Sequence, residues 1–334
     1  MTPPSNTELV EPPTEVSPSA TLGLQTGGHG GRGDSFFRGV ALVAGLAVLA
    51  ILALIAWSTT KQAWPAFQAE GLSFLTSDVW DPAAGQYGAL AFIFGTLLSS
   101  FIALLIGVPV SIGIALFTTE AAPRRLKKLV TYVIDLLAAV PSVVYGLWGV
   151  LVLAPNIQPV YQSIADATDG IPVLGSIFGG QAFGRSFMTA GIILAIMVVP
   201  IVTSLSREVI ATVPGSQREA AYGMGATRWE MIRYSVLPWS RGGITGAVML
   251  GLGRAMGETI AVALVIGSTA QITSHVFLPG DAMAAVIANQ FGEAGALHKS
   301  ALIGLGVVLF IITIFVNGAA RGIVTRLDRR TRGA

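Results

Sequence analysis

The sequence predicts an all-α integral membrane protein with six transmembrane helices. Three observations predict it. Of 334 residues, 53% are hydrophobic and only 11% are charged, whereas soluble domains carry about 25% charged residues. Apolar runs of roughly twenty residues, the length that crosses a bilayer, recur along the chain. The basic residues gather on alternate connecting segments, as they do in proteins oriented by the positive-inside bias. The absence of Cys excludes disulfides and thiolate metal sites.

Taken in order, residues 1–35 hold Pro3, Pro4, Pro12, Pro13 and Pro18 among Ser, Thr and Glu, with a Gly-rich end. Such a segment cannot bury a core and reads as a disordered tail. It lacks the basic start and short apolar core of a secretory signal. Its GGHGGRGD run is followed by no Lys-Ser/Thr and is not a phosphate loop. The expected spans are about 37–57, 89–117, 130–154, 188–205, 244–270 and 301–323. Between the first two, residues 60–88 carry Trp64, Pro65, Trp80, Pro82 and Tyr87, an interfacial composition. The third span contains Asp135 and Pro141, and the fourth contains Pro200. A wet loop is expected over about 155–187, where IPVLGSIFGG is too short to cross. The segment 271–299 carries Asp281, Glu293 and His298 and a short amphipathic helix, DAMAAVIANQF. Residues 327–334 form a basic tail.

Six crossings place both termini on one side. Arg32, Arg38, the Arg124–Lys128 cluster, five arginines from Arg207 to Arg241 and five from Arg321 onward share that side. Lys61, Arg185 and Lys299 fall on the other. The basic side is expected to be cytoplasmic.

The connection between the fourth and fifth spans holds two helix-start signals. Ser216 with Glu219, and Thr227 with Glu230, each read as a capping box. Gly223 and Gly225 between them can take the left-handed backbone that stops a helix. Pro238 is expected to end the second helix. Two short helices at an angle, facing water, make a docking surface.

The fifth span reads GAVMLGLGRAMGETIAVALVIG. Arg254 and Glu258 lie four residues apart and should be neighbours on one helical turn. A charge near the bilayer centre costs about 2.5–3.5 kcal/mol before pairing, so intramembrane charges are candidates for function. Gly246, Leu250, Gly253 and Gly257 form an adjoining stripe, expected to be a tightly packed helix face. Arg254 suits a dehydrating oxyanion, with Glu258 holding it or competing with the anion; the other reading is a structural pair that locks two helices. Asp135, close to Lys127 and Lys128, reads as part of an interfacial ion pair. Pro141 and Pro200 each free a carbonyl within a span and are candidate hinges or simple kinks. His29, His275 and His298 share no ligand spacing. No metal site is expected.

The spacing of Glu219-Ala220-Ala221, Gly225 and Leu237-Pro238 resembles the EAA loop of ABC importer membrane subunits, with Ser235 where that pattern favours Ile. Together with AAVPSVVYG and GLGRAMGET, it makes the chain over about 36–326 resemble the PstC-type permease family of bacterial phosphate-specific ABC transporters. The resemblance implies a type I importer permease fold, with a permease domain over 36–326 and a cytoplasmic EAA coupling loop over about 206–243. It implies a role in phosphate passage for Arg254 and Glu258, and ATPase coupling for Glu219, Ala220, Ala221 and Gly225. Its implied partners are a PstA-type permease, a PstB-type ATPase dimer and a PstS-type phosphate receptor. No cofactor is expected in this chain; ATP and Mg would sit in the ATPase, since no Lys here stands in a Walker A pattern. The competing readings are a permease for sulfate, molybdate or phosphonate, and a proton-coupled secondary anion transporter using Asp135 and Glu258.

Overall fold

The computed structural model describes residues 32–332, with side chains over 36–322. The expected tail up to Gly31, with His29, and the basic side chains from residue 323 onward lie outside the described residues. Helix α1 (Arg32–Glu70) runs well past the expected end near residue 57. Pro65 does not interrupt it. The first left-handed residue is Gly71, at φ 57°. Its N–H bonds the Phe67 carbonyl at 2.9 Å and closes the helix. The chain divides into two units within this helix, after Leu54. In the first unit, residues 36–54 are exposed on every face. A helix apolar all round is suited to lipid.

The second unit begins with the rest of α1, the single turn α2 (Ser73–Thr76) and a hairpin, β1 (Trp80–Asp81) with β2 (Gln86–Tyr87). The hairpin is antiparallel, Trp80 opposite Tyr87. Asp81 Oδ1 accepts the N–H of Ala83 at 2.9 Å, an Asx turn. Helix α3 (Leu90–Leu116) widens into a π-turn at Phe117–Ala121. Then come α4 (Arg124–Ala139), α5 (Ser142–Trp148), a second π-turn (Gly149–Leu153) and α6 (Ala154–Thr168). After the short α7 (Leu174–Phe178) comes the long α8 (Phe187–Ala211). The connection beyond it holds α9 (Gly215–Gly223), α10 (Arg228–Met231) and a third π-turn (Ile232–Val236). The chain closes with α11 (Leu237–Gly257), α12 (Ile260–Val265), α13 (Met283–Gln290) and α14 (Ala296–Arg332).

Among the described residues, five helices are long and apolar enough to cross a membrane: Phe36–Glu70, Leu90–Ala121, Ser142–Thr168, Phe187–Ala211 and Ala296–Gly322. Two departures from the expected spans have local causes. Around Pro141 the backbone is extended, Val140 at ψ 127° and Pro141 at ψ 141°, so the expected third span breaks there. The residue before a proline is pushed out of the helical region. The long apolar run instead extends to Thr168, because Pro155 occupies the first turn of α6, where a missing N–H costs nothing. The expected wet loop is therefore helical over its first part. The expected fifth span is also broken, between α11 and α12, at Glu258 and Thr259.

Close packing holds the second unit together. Along α3, Gly95, Ser99, Ala103, Gly107, Ser111 and Ala115 recur every fourth residue and all are buried. In hydrocarbon no hydrophobic force draws helices together, so association depends on this kind of close approach. A Cβ on Gly107 would lie 3.4 Å from the Ala195 carbonyl of α8, and one on Gly191 of α8 would overlap Ile102 of α3. Further along α8, a Cβ on Gly251 of α11 would come within 2.7 Å of Val202. The central core joins Phe187, Ile193, Leu194 and Val198 of α8 to Val262 and Val265 of α12.

Asp281, just before α13, is 4% exposed. Its Oδ1 accepts the Ala282 N–H at 2.8 Å. Burial pushes this carboxyl up to about 7, with the Ala282 hydrogen bond pulling the other way. An unfolded Asp titrates near about 3.9, so the folded state holds the proton more tightly. The protonated carboxyl's stabilisation is complete below about pH 4 and is lost as pH rises through about 7. The melting temperature of the purified protein is therefore expected to fall between about pH 5 and about pH 8. Asp281→Asn should flatten that slope, and an equally steep slope in the variant would refute the assignment.

Candidate functional site

Two regions carry the residues singled out in the sequence. The first is the connection between α8 and α11. Gly225 takes φ 83°, as a left-handed helix stop requires. Thr227 forms the expected capping box: Glu230 N–H donates to its side chain, and its own N–H donates to Glu230 Oε2 at 2.8 Å. The Thr227 N–H, and then its hydroxyl at 2.8 Å, donate to this carboxylate and hold it below the usual range. The Ser216 box does not form. Helix α9 already starts at Gly215, capped by Pro214 with no side-chain bond, which puts Ser216 inside the first turn. Gly223 is the last residue of α9 and is not left-handed. Pro238 does not end a helix either; it lies in the first turn of α11. The preceding π-turn relieves the clash that proline makes with the turn behind it.

Glu219 and Ala220 face outward, whereas Ala221 turns inward. It joins Ile210, Val213, Met231, Ile232 and Val236 in a small core of its own. A cavity of about 750 Å³ opens beside α9, lined by Ala220, Ala221, Met224, Tyr234, Pro238 and Trp239. With Trp229 at 62% and Met224 at 85% exposure, this end presents large apolar side chains to a partner.

The second region surrounds Arg254. The sequence expects Arg254 and Glu258 on one helical turn. The structure separates them: α11 ends at Gly257, and Glu258 is extended at φ −71°, ψ 127°. Among the described residues the two form no ion pair. Glu258 is 9% exposed, and its Oε1 accepts the Ala261 N–H at 3.4 Å. The carboxylate thus answers an orphan donor at the start of α12, and that bond competes with pairing to Arg254. Arg254 itself is exposed.

Both side chains line one cavity of about 900 Å³, with Gly253, Gly257, Asn317 and Arg321. The sequence does not single out Asn317 or Arg321, the latter because its charge belongs with the basic side. Their four-residue spacing on α14, an amide and a cation on one face of an apolar helix, was the available signal. Asn317 Oδ1 is buried without a partner among the described residues. A smaller cavity of about 150 Å³ also touches Arg254 and is lined by Leu137, Val140, Tyr145, Met197 and Ile201. The break at Pro141 therefore borders the arginine. Tyr145 donates its hydroxyl to the Leu137 carbonyl at 2.9 Å, satisfying a group that the break frees. Pro200, by contrast, leaves α8 unbroken.

The expected tight packing of Gly246, Gly253 and Gly257 is not found: a Cβ at any of the three meets nothing within 4 Å. Helix α8 packs on a different face of α11, at Gly243 and Gly251, and leaves this one open. Nor does Asp135 pair with Lys127 or Lys128 among the described residues. His298 instead bonds Gln290 at 3.0 Å and stacks on Tyr87. No group of three His, Asp or Glu side chains gathers among the described residues.

Residues 107–333 match the family described as "Binding-protein-dependent transport system inner membrane component". The phosphate transport system permease protein PstC of Mesorhizobium japonicum is 45% identical, over 89% of this chain and 92% of its own. The chain belongs to the PstC permease family. Another PstC protein, from Haemophilus influenzae, is 43% identical over 90% of this chain and 95% of its own. Solved structures share the fold. A crystal structure of a bacterial alginate ABC transporter, in complex with its pentasaccharide-bound periplasmic protein, aligns at TM-score 0.58. The identity is 19%, covering 88% of this chain and 97% of that one. A second alginate importer structure aligns at TM-score 0.52 and 20% identity, over 86% and 98%. As a PstC family member, the chain is a multi-pass membrane permease subunit rather than an enzyme.

Proposed function

We propose that this chain is the permease subunit through which an ATP-driven importer moves inorganic phosphate into the cell. One observation carries the proposal: Arg254, Glu258, Asn317 and Arg321 line a single cavity between α11 and α14. Two cations there attract an oxyanion, and an unpaired Asn317 oxygen can accept the proton that a phosphate OH donates. The printed names of the PstC relatives support phosphate as the cargo.

In this reading the chain crosses the membrane six times, the fifth crossing being the split pair α11–α12. Both termini and the α9–α10 loop lie on the cytoplasmic, Arg-rich side. The loop docks on a PstB-type ATPase dimer that binds ATP and Mg, with Glu219, Ala220, Ala221 and Gly225 shaping the contact. The open glycine face of α11 receives a PstA-type permease, and a PstS-type receptor delivers phosphate from outside. ATP binding draws two docking loops together and opens the path toward the loaded receptor; hydrolysis resets it. Pro141, at a true break beside Arg254, is the hinge of the two prolines. No cofactor is needed in this chain.

Glu219→Lys tests the docking half of the proposal. Glu219 is exposed and no described interaction holds it, so the variant is expected to fold and insert. It should lose copurification with the ATPase and with it phosphate uptake into proteoliposomes. A variant complex that copurifies and transports normally would remove α9 from the coupling role.

A further inference from the structure

The proposed docking surface says where an ATPase would press, not how the pressure leaves α9. One side chain joins α9 to two membrane helices at once. Arg218, in the middle of α9, sends its Nη2 to Glu120 Oε1 at 2.9 Å and to the Ile210 carbonyl at 3.1 Å. Its Nη1 donates to the Val213 carbonyl at 2.6 Å. Glu120 stands in the π-turn that closes α3, and its side chain is 8% exposed; that of Arg218 is 23% exposed. Ile210 lies in the last turn of α8, whose final carbonyls lack the usual i+4 partners and form the negative end of the helix dipole; its carbonyl also accepts the Val213 N–H at 3.3 Å. The guanidinium fork therefore satisfies the end of α8 and binds the end of α3 with the same group.

Resting on the coupling role proposed for α9, we propose that Arg218 is the strut that transmits movement of the docking helix to α3 and α8. The path beyond the strut is rigid and leads to the anion cavity. Ile201, nine residues before Ile210 and so about 14 Å along the same helix, lines both cavities that touch Arg254. Arg207, one turn before Ile210, bonds Thr131 of α4 at 2.6 Å, which ties the segment leading to Pro141 to the same rod. The apolar core around Ala221 also joins α9 to α8. Apolar contacts resist separation but permit sliding, whereas a forked, charge-assisted contact fixes direction. Arg218 is a positioning residue: it touches neither phosphate nor ATP.

The test is the number of phosphates moved per ATP hydrolysed by the complete complex in proteoliposomes. Arg218→Gln is expected to retain the ATPase and its hydrolysis while the ratio falls at least about tenfold. Glu120→Gln leaves the carbonyl contacts of Arg218 in place, so the end of α8 stays capped, and the ratio should fall severalfold. Arg218→Lys, which keeps the charge without the fork, should restore part of it. Unchanged ratios in Arg218→Gln and Glu120→Gln would overturn the strut. So would loss of ATPase capture in Arg218→Gln with a normal ratio in Glu120→Gln, since Arg218 would then only shape the docking surface. Failure of the unchanged chain to capture any ATPase would sink the coupling reading and the strut with it.

Discussion

Arg254→Gln is expected to lower phosphate uptake roughly 100-fold while the chain inserts and assembles normally. The size follows from what the side chain does. A hydrogen bond to a charged group contributes about 1.5–3 kcal/mol, and each 1.4 kcal/mol is about tenfold. A fork binding an oxyanion through two donors reaches the upper end of that range. The expectation of normal assembly follows from what the side chain does not do. Arg254 has no ion-pair partner among the described residues, so its loss leaves no buried charge uncompensated. Glu258→Gln should behave differently, because the amide oxygen can still accept the Ala261 N–H. Its uptake should fall less. Uptake measured alongside membrane insertion and copurification checks both variants. Normal uptake in Arg254→Gln would remove the cavity from the phosphate path; loss of uptake and assembly together would make the residue a structural lock.

The largest effect on stability is expected at Gly95. A Cβ there would overlap the carbonyl oxygen of Asp281 and come within 3.1 Å of the Phe187 ring. Neither neighbour can retreat cheaply. The carbonyl is backbone, and Phe187 is fully buried in the central core. The same element is tied down next door, where the Met283 N–H donates to Thr96 Oγ1 at 3.0 Å. Gly95→Ala should therefore cost about 3 kcal/mol, the upper end of ordinary overpacking. Gly246→Ala is the control, since a Cβ there meets nothing within 4 Å. Thermal unfolding of the two purified variants should differ by several degrees, with only Gly95→Ala displaced from the parent protein. Equal melting temperatures would mean that the α13 segment does not rest on α3 as described.

Local chemistry was the legible part of the chain. The Gly225 stop and the Thr227 capping box depend on residues within a few positions, and both form as the sequence predicts. The Ser216 box failed for an equally local reason, because Pro214 and Gly215 start the helix before the serine can cap it. What the sequence could not deliver depends on partners far along the chain. Arg254 and Glu258 look like a helical pair until Glu258 turns to cap α12. The glycines of α11 look alike in sequence, yet α8 covers Gly243 and Gly251 and leaves Gly246 and Gly253 open. Asn317 and Arg321 acquire meaning only when α14 is placed beside α11.

The interruption at Glu258 also bears on how the protein is made. As a crossing of the bilayer, the α11–α12 segment is a poor candidate for entering lipid alone: Arg254 and Glu258 oppose its insertion, and the broken backbone exposes amide groups that hydrocarbon cannot satisfy. Asn317 and Arg321, the polar face that borders its charges, are synthesised later, on α14. On the six-crossing reading proposed above, the segment is expected to enter the lipid only once α14 has emerged. Truncation before residue 296 should then strand the α11–α12 segment outside the bilayer, and its normal insertion in the truncated chain would overturn this order.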